Sequence, residues 1–305
     1  MKRIKVIFFL TLALTAGCFI CQPAMAQDEL LSLLDDIKTK PEKVRNTWKS
    51  TRVINAQSSE QLSKGVLDFR VLHRFGFINS GPSEVFGLDQ ASIRLGLDYG
   101  LTEWLSVGFG RSSFKKELDG SIKVKPIWQT KGSGSFPFSV TLVAGMTMNT
   151  MKWENPERNN YFTSKLAYFY EGIIARKFSD GISVQLSPIM VHRNFVDLAV
   201  DEHDVWALGL GTRIKLSKRV SVNLDYFILK PGRTASLYSN PLSIGFDVET
   251  GGHVFQLHFT NATGMNERAF ITETTGEWLK GDIHFGFNIS RVFTIGGRKH
   301  KSERS

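Results

Sequence analysis

The chain has almost no cysteine. Its 305 residues include two, Cys18 and Cys21, both in the first apolar run. If that run is removed on export, no disulfide can form, which excludes a small secreted domain stapled by bridges. The Cys-x-x-Cys spacing is then neither a redox nor a metal motif. A lipoprotein site at Cys18 fits poorly, because Thr15 stands where such sites prefer Leu and Phe19-Ile20 continue the apolar run. After residue 26 there is no long apolar stretch, and the mean hydropathy is −0.12. A chain without membrane helices can span a bilayer only as a closed β-barrel, since lipid offers no partner to a free sheet edge. Catalytic fingerprints are missing as well. There is no Gly-x-Ser-x-Gly, no phosphate loop and no dinucleotide-binding motif.

What the amino terminus does carry is an export signal. Lys2, Arg3 and Lys5 precede an apolar run from Val6 to Ile20, and Ala24-Met25-Ala26 offers small residues for cleavage after Ala26. About 15 apolar residues are too few for a comfortable membrane helix. The formal charge of +9 falls to about +6 once those three basic residues leave. About half of that excess lies in the tail Arg298–Arg304. A basic tail can meet phosphate groups, but export argues against nucleic acid as a partner, and the tail reads as a solvated end.

The body of the chain alternates. In Gln90–Gly110, Ala91, Ile93, Leu95, Leu97, Tyr99 and Leu101 oppose Ser92, Arg94, Gly96, Asp98 and Gly100. After a turn at Leu101–Trp104, Leu105, Val107 and Phe109 oppose Ser106, Gly108 and Gly110. Period two is the strand signature. About twelve such segments follow one another between Gly65 and Ile295, among them Val66–Phe75, Ile122–Gln129, Phe138–Asn149, Ile182–Arg193, Val220–Leu229 and Asp282–Phe293. Each has a length that crosses a bilayer at a tilt. Their connections alternate long and short. Gly76–Asp89, Ser112–Ser121, Thr150–Thr163 and Asn261–Gly281 are long, while Thr102-Glu103, Ser179-Asp180, Ser217-Lys218 and Thr250-Gly251 are short. This asymmetry belongs to membrane barrels, with short periplasmic turns and long external loops. Aromatic residues near strand ends (Tyr99, Trp104, Phe178, Trp206, Tyr226, Phe293) fit interfacial girdles. The expected fold is therefore all-β: a transmembrane antiparallel β-barrel of about twelve strands over 64–295. Residues 1–26 are the signal, 27–63 a periplasmic or plug segment opening with a helix at Asp28–Ile37, and 296–305 the basic tail. A soluble periplasmic β-sandwich is the competing architecture.

Several long segments also resemble, in order, a family of uncharacterised outer-membrane β-barrels, domain of unknown function 5777. They are Lys49–Gly81 (KSTRVINAQSSEQLSKGVLDFRVLHRFGFINSG), Gly87–Gly100, Thr250–Met265 and Lys280–Phe293. The resemblance covers most of the mature chain. It implies a Gram-negative outer-membrane location and carries no activity and no catalytic residues.

Function is then sought on the inward face. Asp68, Arg70, Arg74, Arg94 and Asp98 fall there on the first two strands, and Lys123, Lys125, Lys165, Glu171, Arg193, Arg213, Lys215, Asp225, Asp247 and Glu249 farther on. The mixed signs predict cross-strand ion pairs, with a weakly anion-preferring pore as the sharper alternative. Thr47–Ser63 is expected to enter the lumen as a plug. His258 and His284 face inward on neighbouring strands. Two histidines without a third ligand make a weak metal site, so no metal and no cofactor is expected. The leading function is a passive channel or transporter, or a loop-presenting barrel, in contact with outer-membrane lipid and with small polar or anionic solutes. The alternative is a phospholipase-like enzyme in the barrel wall. It lacks the His-x-Ser pair of such enzymes, the nearest sequence being His258-Phe-Thr260.

Overall fold

The computed structural model describes residues 41–153 and 155–295. The signal peptide with its cleavage after Ala26, the helix at Asp28–Ile37 and the basic tail lie outside the described residues. Residues 43–131 and 135–295 belong to one unit; Pro41, Glu42 and Gly132–Gly134 belong to another and are solvent-exposed.

Twelve strands build a closed barrel. They are β1 (Val66–Phe77), β2 (Ala91–Gly100), β3 (Leu105–Ser112) and β4 (Glu117–Ile127). Then come β5 (Ser139–Asn149), β6 (Leu166–Lys177), β7 (Ile182–Arg193) and β8 (Asp204–Lys215). The last four are β9 (Val220–Leu229), β10 (Leu242–Thr250), β11 (His253–Thr260) and β12 (His284–Thr294). Each strand pairs antiparallel with its neighbours in sequence, and β12 pairs with β1 to close the ring, Thr294 opposite Val66. Closure leaves no free edge, so every strand's backbone groups have ladder partners on both sides.

The two faces of the wall are inverted relative to a water-soluble protein. Leu95, Leu97, Phe109, Leu142 and Trp206 point outward and are exposed, while Asp68, Arg70, Arg74, Arg94 and Asp225 are buried. Charged side chains are seldom fully buried unless paired, and an outward apolar band is what a bilayer requires.

Strand β4 begins at Glu117, not near Ile122, so the connection expected over Ser112–Ser121 shrinks to 113–116. Glu117 and Asp119 lie inward and Gly120 outward. Acids on one face and a glycine on the other erased the hydrophobic alternation there. Pro126, which has no N–H for the ladder, coincides with a register irregularity between Val124 and Ile127.

The interior is filled. Between Val44 and Leu62 most residues are buried, with Val53, Ile54, Asn55 and Ser58 wholly so. From the opposite end the connection after β11 also folds inward. Asn261, Ala262, Met265, Phe270 and Ile271 are buried, although Asn261–Gly281 was expected as an external loop. A short helix, Glu267–Thr272, forms there, and the Asn266 side chain caps it by accepting from the Ala269 N–H at 2.9 Å. The inward faces of β6 to β9 carry apolar side chains where this connection packs. Phe169, Ile173, Ile189, Val191, Val205 and Phe227 pack with Trp48, Val53, Phe270 and Ile271. The Phe227 and Phe270 rings lie 5.2 Å apart in a tilted arrangement. Each large apolar side chain so buried contributes roughly 1.5–3 kcal/mol.

Candidate functional site

The wall formed by β1 to β4 carries a ladder of charges. Asp68 and Asp98 stand directly opposite one another across β1 and β2. Like charges so placed repel, and Arg70 relieves them. Its Nε is 3.4 Å from Asp68, and its other end pairs with Asp98. The Ser290 hydroxyl donates to Asp68 at 2.6 Å. One strand on, Arg94 grips Asp119 with two donors, Nε to Oδ1 at 2.9 Å and Nη2 to Oδ2. Room for that guanidinium comes from Gly110, where a Cβ would stand 2.6 Å from the Arg94 Cζ.

Within this wall, residues 51–58 turn back on themselves. Arg52 pairs with Gln57, the Val53 N–H donates to the Ala56 carbonyl at 2.9 Å, and the Ser58 N–H donates to the Thr51 carbonyl at 3.0 Å. The tip presents three successive backbone N–H groups, of Ile54, Asn55 and Ala56, to one Asp225 carboxylate oxygen at 3.1, 2.7 and 3.0 Å. Successive N–H groups aimed at one point form an anion nest. Further carbonyls of this segment are met by side chains from the strands, as buried polar groups require. Lys123 donates to the Thr51 carbonyl at 3.1 Å and Lys125 to the Ser59 carbonyl at 2.8 Å. Gln185 donates to the Gln57 carbonyl at 2.7 Å and Gln256 to the Val53 carbonyl at 2.6 Å. The Asn55 amide donates to the Ser243 hydroxyl at 2.8 Å and accepts from Arg74.

The inward-folded connection is held at the other end. Arg74 donates to the Ala262 carbonyl at 2.7 Å. Asn266 donates to Glu117 at 2.7 Å, and Arg268 pairs with both Glu117 and Glu273, the latter at 2.6 Å. Lys115 reaches Glu273 at 2.8 Å. Burial pushes the Glu273 carboxyl up, but Arg268 and then Lys115 outweigh it and hold that group below the usual range. The two inserts meet at Glu267, which pairs with Arg52 at 3.0 Å and accepts from the Gln57 amide at 2.9 Å. Beside them, Arg52, Arg70, Gln256 and Asn288 border a cavity of about 10 Å³, room for about one water.

Of the residues singled out by sequence, Asp68, Arg70, Arg74, Arg94, Glu171, Arg213, Asp225, His258 and His284 are buried inside the wall, and Asp98 is partly so. Lys165 is a correction. It lies in the 3-10 turn before β6 rather than in a strand, and its ammonium caps the Met151 carbonyl at 2.6 Å, 4.3 Å from the Trp153 ring. The strand itself begins one residue later, at Leu166. His258 faces Gly286, and both of its ring nitrogens lack a hydrogen-bond partner among the described residues. His284 is engaged elsewhere, 2.9 Å from the Thr263 hydroxyl and 2.7 Å from the Phe75 carbonyl. Among the described residues no three His, Cys, Asp or Glu side chains cluster as metal ligands would. Sequence reasoning missed Glu117, Asp119 and Glu267, all assigned to loops. The Asn266-Glu267 helix start ahead of Phe270-Ile271 was the available signal.

A family model described as a membrane-bound β-barrel domain matches residues 48–293. No curated protein matches the chain. Among solved structures, the NanC porin is similar at 8% identity over 75% of this chain and 98% of its own, with a TM-score of 0.47. The KdgM porin in complex with disordered oligogalacturonate is similar at 10% identity over 75% and 99%, with a TM-score of 0.46. LpxR from Salmonella typhimurium is similar at 9% identity over 75% and 100%, with a TM-score of 0.34. At these identities the likeness extends to barrel form only.

Proposed function

Since the chain belongs to the membrane-bound β-barrel family known as domain of unknown function 5777, we propose that it serves in the outer membrane as a passive channel or transporter whose conduit is shut by its own amino-terminal hairpin. One observation carries this reading. The hairpin lies ahead of the first strand, and the closed ladder of twelve strands makes no use of it. It is held by hydrogen bonds from wall side chains to hairpin backbone, so it can leave without breaking a strand pair. Each such bond contributes a net ~1 kcal/mol, more where a charged group takes part. Withdrawal would uncover Lys123, Lys125 and Arg74 on one side and Asp225 on the other, a lining suited to small polar solutes, anions included.

The test is conductance in a planar bilayer. A variant lacking residues 27–63, shown to be folded by heat-modifiable migration, should conduct more than the full mature chain. A folded variant with unchanged conductance would overturn the reading.

A further inference from the structure

The two ends of the barrel differ in charge. At the end with the long connections, acids and bases are mixed, as in the pairs Arg233–Asp201 and Lys280–Glu277. At the short-turn end three acids are already paired. Glu103 pairs with Arg45, Asp180 with Lys177 and Glu249 with Lys49. This leaves exposed Lys64, Arg176, Lys215, Lys218, Arg219 and Arg291 with no acidic partner among the described residues.

Two of these cations are placed differently from the rest. Arg176 and Arg291 sit one and three positions from the ends of β6 and β12, on the outward face that elsewhere carries Leu and Phe. Each lies over the ring of an outward aromatic, Arg176 5.0 Å from Phe178 and Arg291 4.9 Å from Phe293. A guanidinium held by an aromatic face at the edge of an apolar band lies at headgroup depth, where it meets phosphate. Clustered basic residues next to a membrane-embedded surface attract anionic lipid by about 1 kcal/mol each, which is about fivefold.

We propose that the short-turn rim is a binding collar for anionic phospholipid headgroups, with Arg176 and Arg291 as its lipid-facing anchors and the turn cations Lys218 and Arg219 beside them. The occupant is fixed by chemistry. The anchors face the bilayer and not the solvent, so the phosphate they meet is part of a lipid.

The test uses the full mature chain refolded into phosphatidylcholine vesicles containing either brominated phosphatidylcholine or brominated phosphatidylglycerol. Trp104 is on the same rim and 51% exposed, so in a Trp206→Phe background, which removes the equally exposed outward tryptophan, its emission reports the neighbouring lipid. The phosphatidylglycerol should quench as though enriched about fivefold. High salt should lower that enrichment toward one. The R176Q/R291Q variant should lose at least half of it, and R176K/R291K should retain it. Equal quenching by both lipids in the unaltered protein overturns the proposal. So does full enrichment in R176Q/R291Q combined with K218Q/R219Q.

Discussion

Arg52 and Glu267 face each other at 3.0 Å in the middle of the barrel, the first from the amino-terminal hairpin and the second from the connection after β11. Both side chains are almost wholly buried, at 6% and 1% exposure. Removing one partner strands a buried charge, which typically costs about 3–5 kcal/mol, whereas replacing both with apolar groups of similar size can be neutral. Arg52→Met and Glu267→Leu should therefore each lower stability in urea unfolding by about 3 kcal/mol, with the double variant closer to the unaltered protein. Additive losses would show that the pair does not couple the two inserts.

The hairpin can be locked in place. Asn55 and Ser243 touch at 2.8 Å, and no cysteine follows Cys21. Asn55→Cys with Ser243→Cys, bridged by a short bifunctional thiol reagent, should hold conductance at its lowest level. The unbridged double variant should open at least as often as the unaltered protein. Equal opening before and after bridging would mean that the hairpin does not gate.

The inward-folded connection should respond to acid. Glu273 is held below the ordinary glutamate value of 4.5. A carboxylate depressed in the folded state stabilises fully above its unfolded value, and that stability is lost as pH falls through the depressed folded value. Hydrogen exchange across residues 261–276, corrected for the intrinsic rate at each pH, should thus show high protection at neutral pH that falls only as pH drops below about 4.5. Glu273→Gln should make that exchange faster at neutral pH and flatten its response to acid. A profile unchanged in the variant would assign the acid response to another group.

Phe270 is wholly buried against Phe227. Phe270→Ala should cost about 3–5 kcal/mol in urea unfolding. The outward Leu142, 51% exposed, offers a contrast, because Leu142→Ala leaves no interior cavity and should cost far less. Similar losses at the two positions would argue that the interior is not close-packed.

The strands were legible because each records its own environment. Ile182–Arg193 and Val220–Leu229 keep in the fold the bounds that alternation assigns them, since lipid on one side and polar interior on the other impose period two locally. The inserts were not legible in the same way. Val53-Ile54 and Phe270-Ile271 are short apolar pairs in otherwise polar stretches, and the surfaces that bury them come from strands far along the chain, such as β9 with Phe227. The apolar part of the inward face of β7, Ile189 and Val191, is the complementary case. Alone it contradicts a polar lumen, and it makes sense only beside Phe270. The wall residues of the site could be placed by counting along strands, but Glu117, Asp119 and Glu267 could not, because turn and helix interrupt the count.

The filled interior also bears on how the molecule assembles. The seam between β12 and β1 joins partners such as Ser290 and Asp68, 222 residues apart, and the contacts between the two inserts span a similar distance, 210 residues for Gln57 and Glu267. Bringing such distant segments together is chiefly a loss of chain entropy, and most of that loss is incurred once. Whichever contact forms first brings the other within reach, so shutting the ring and seating its contents behave as a single cooperative event.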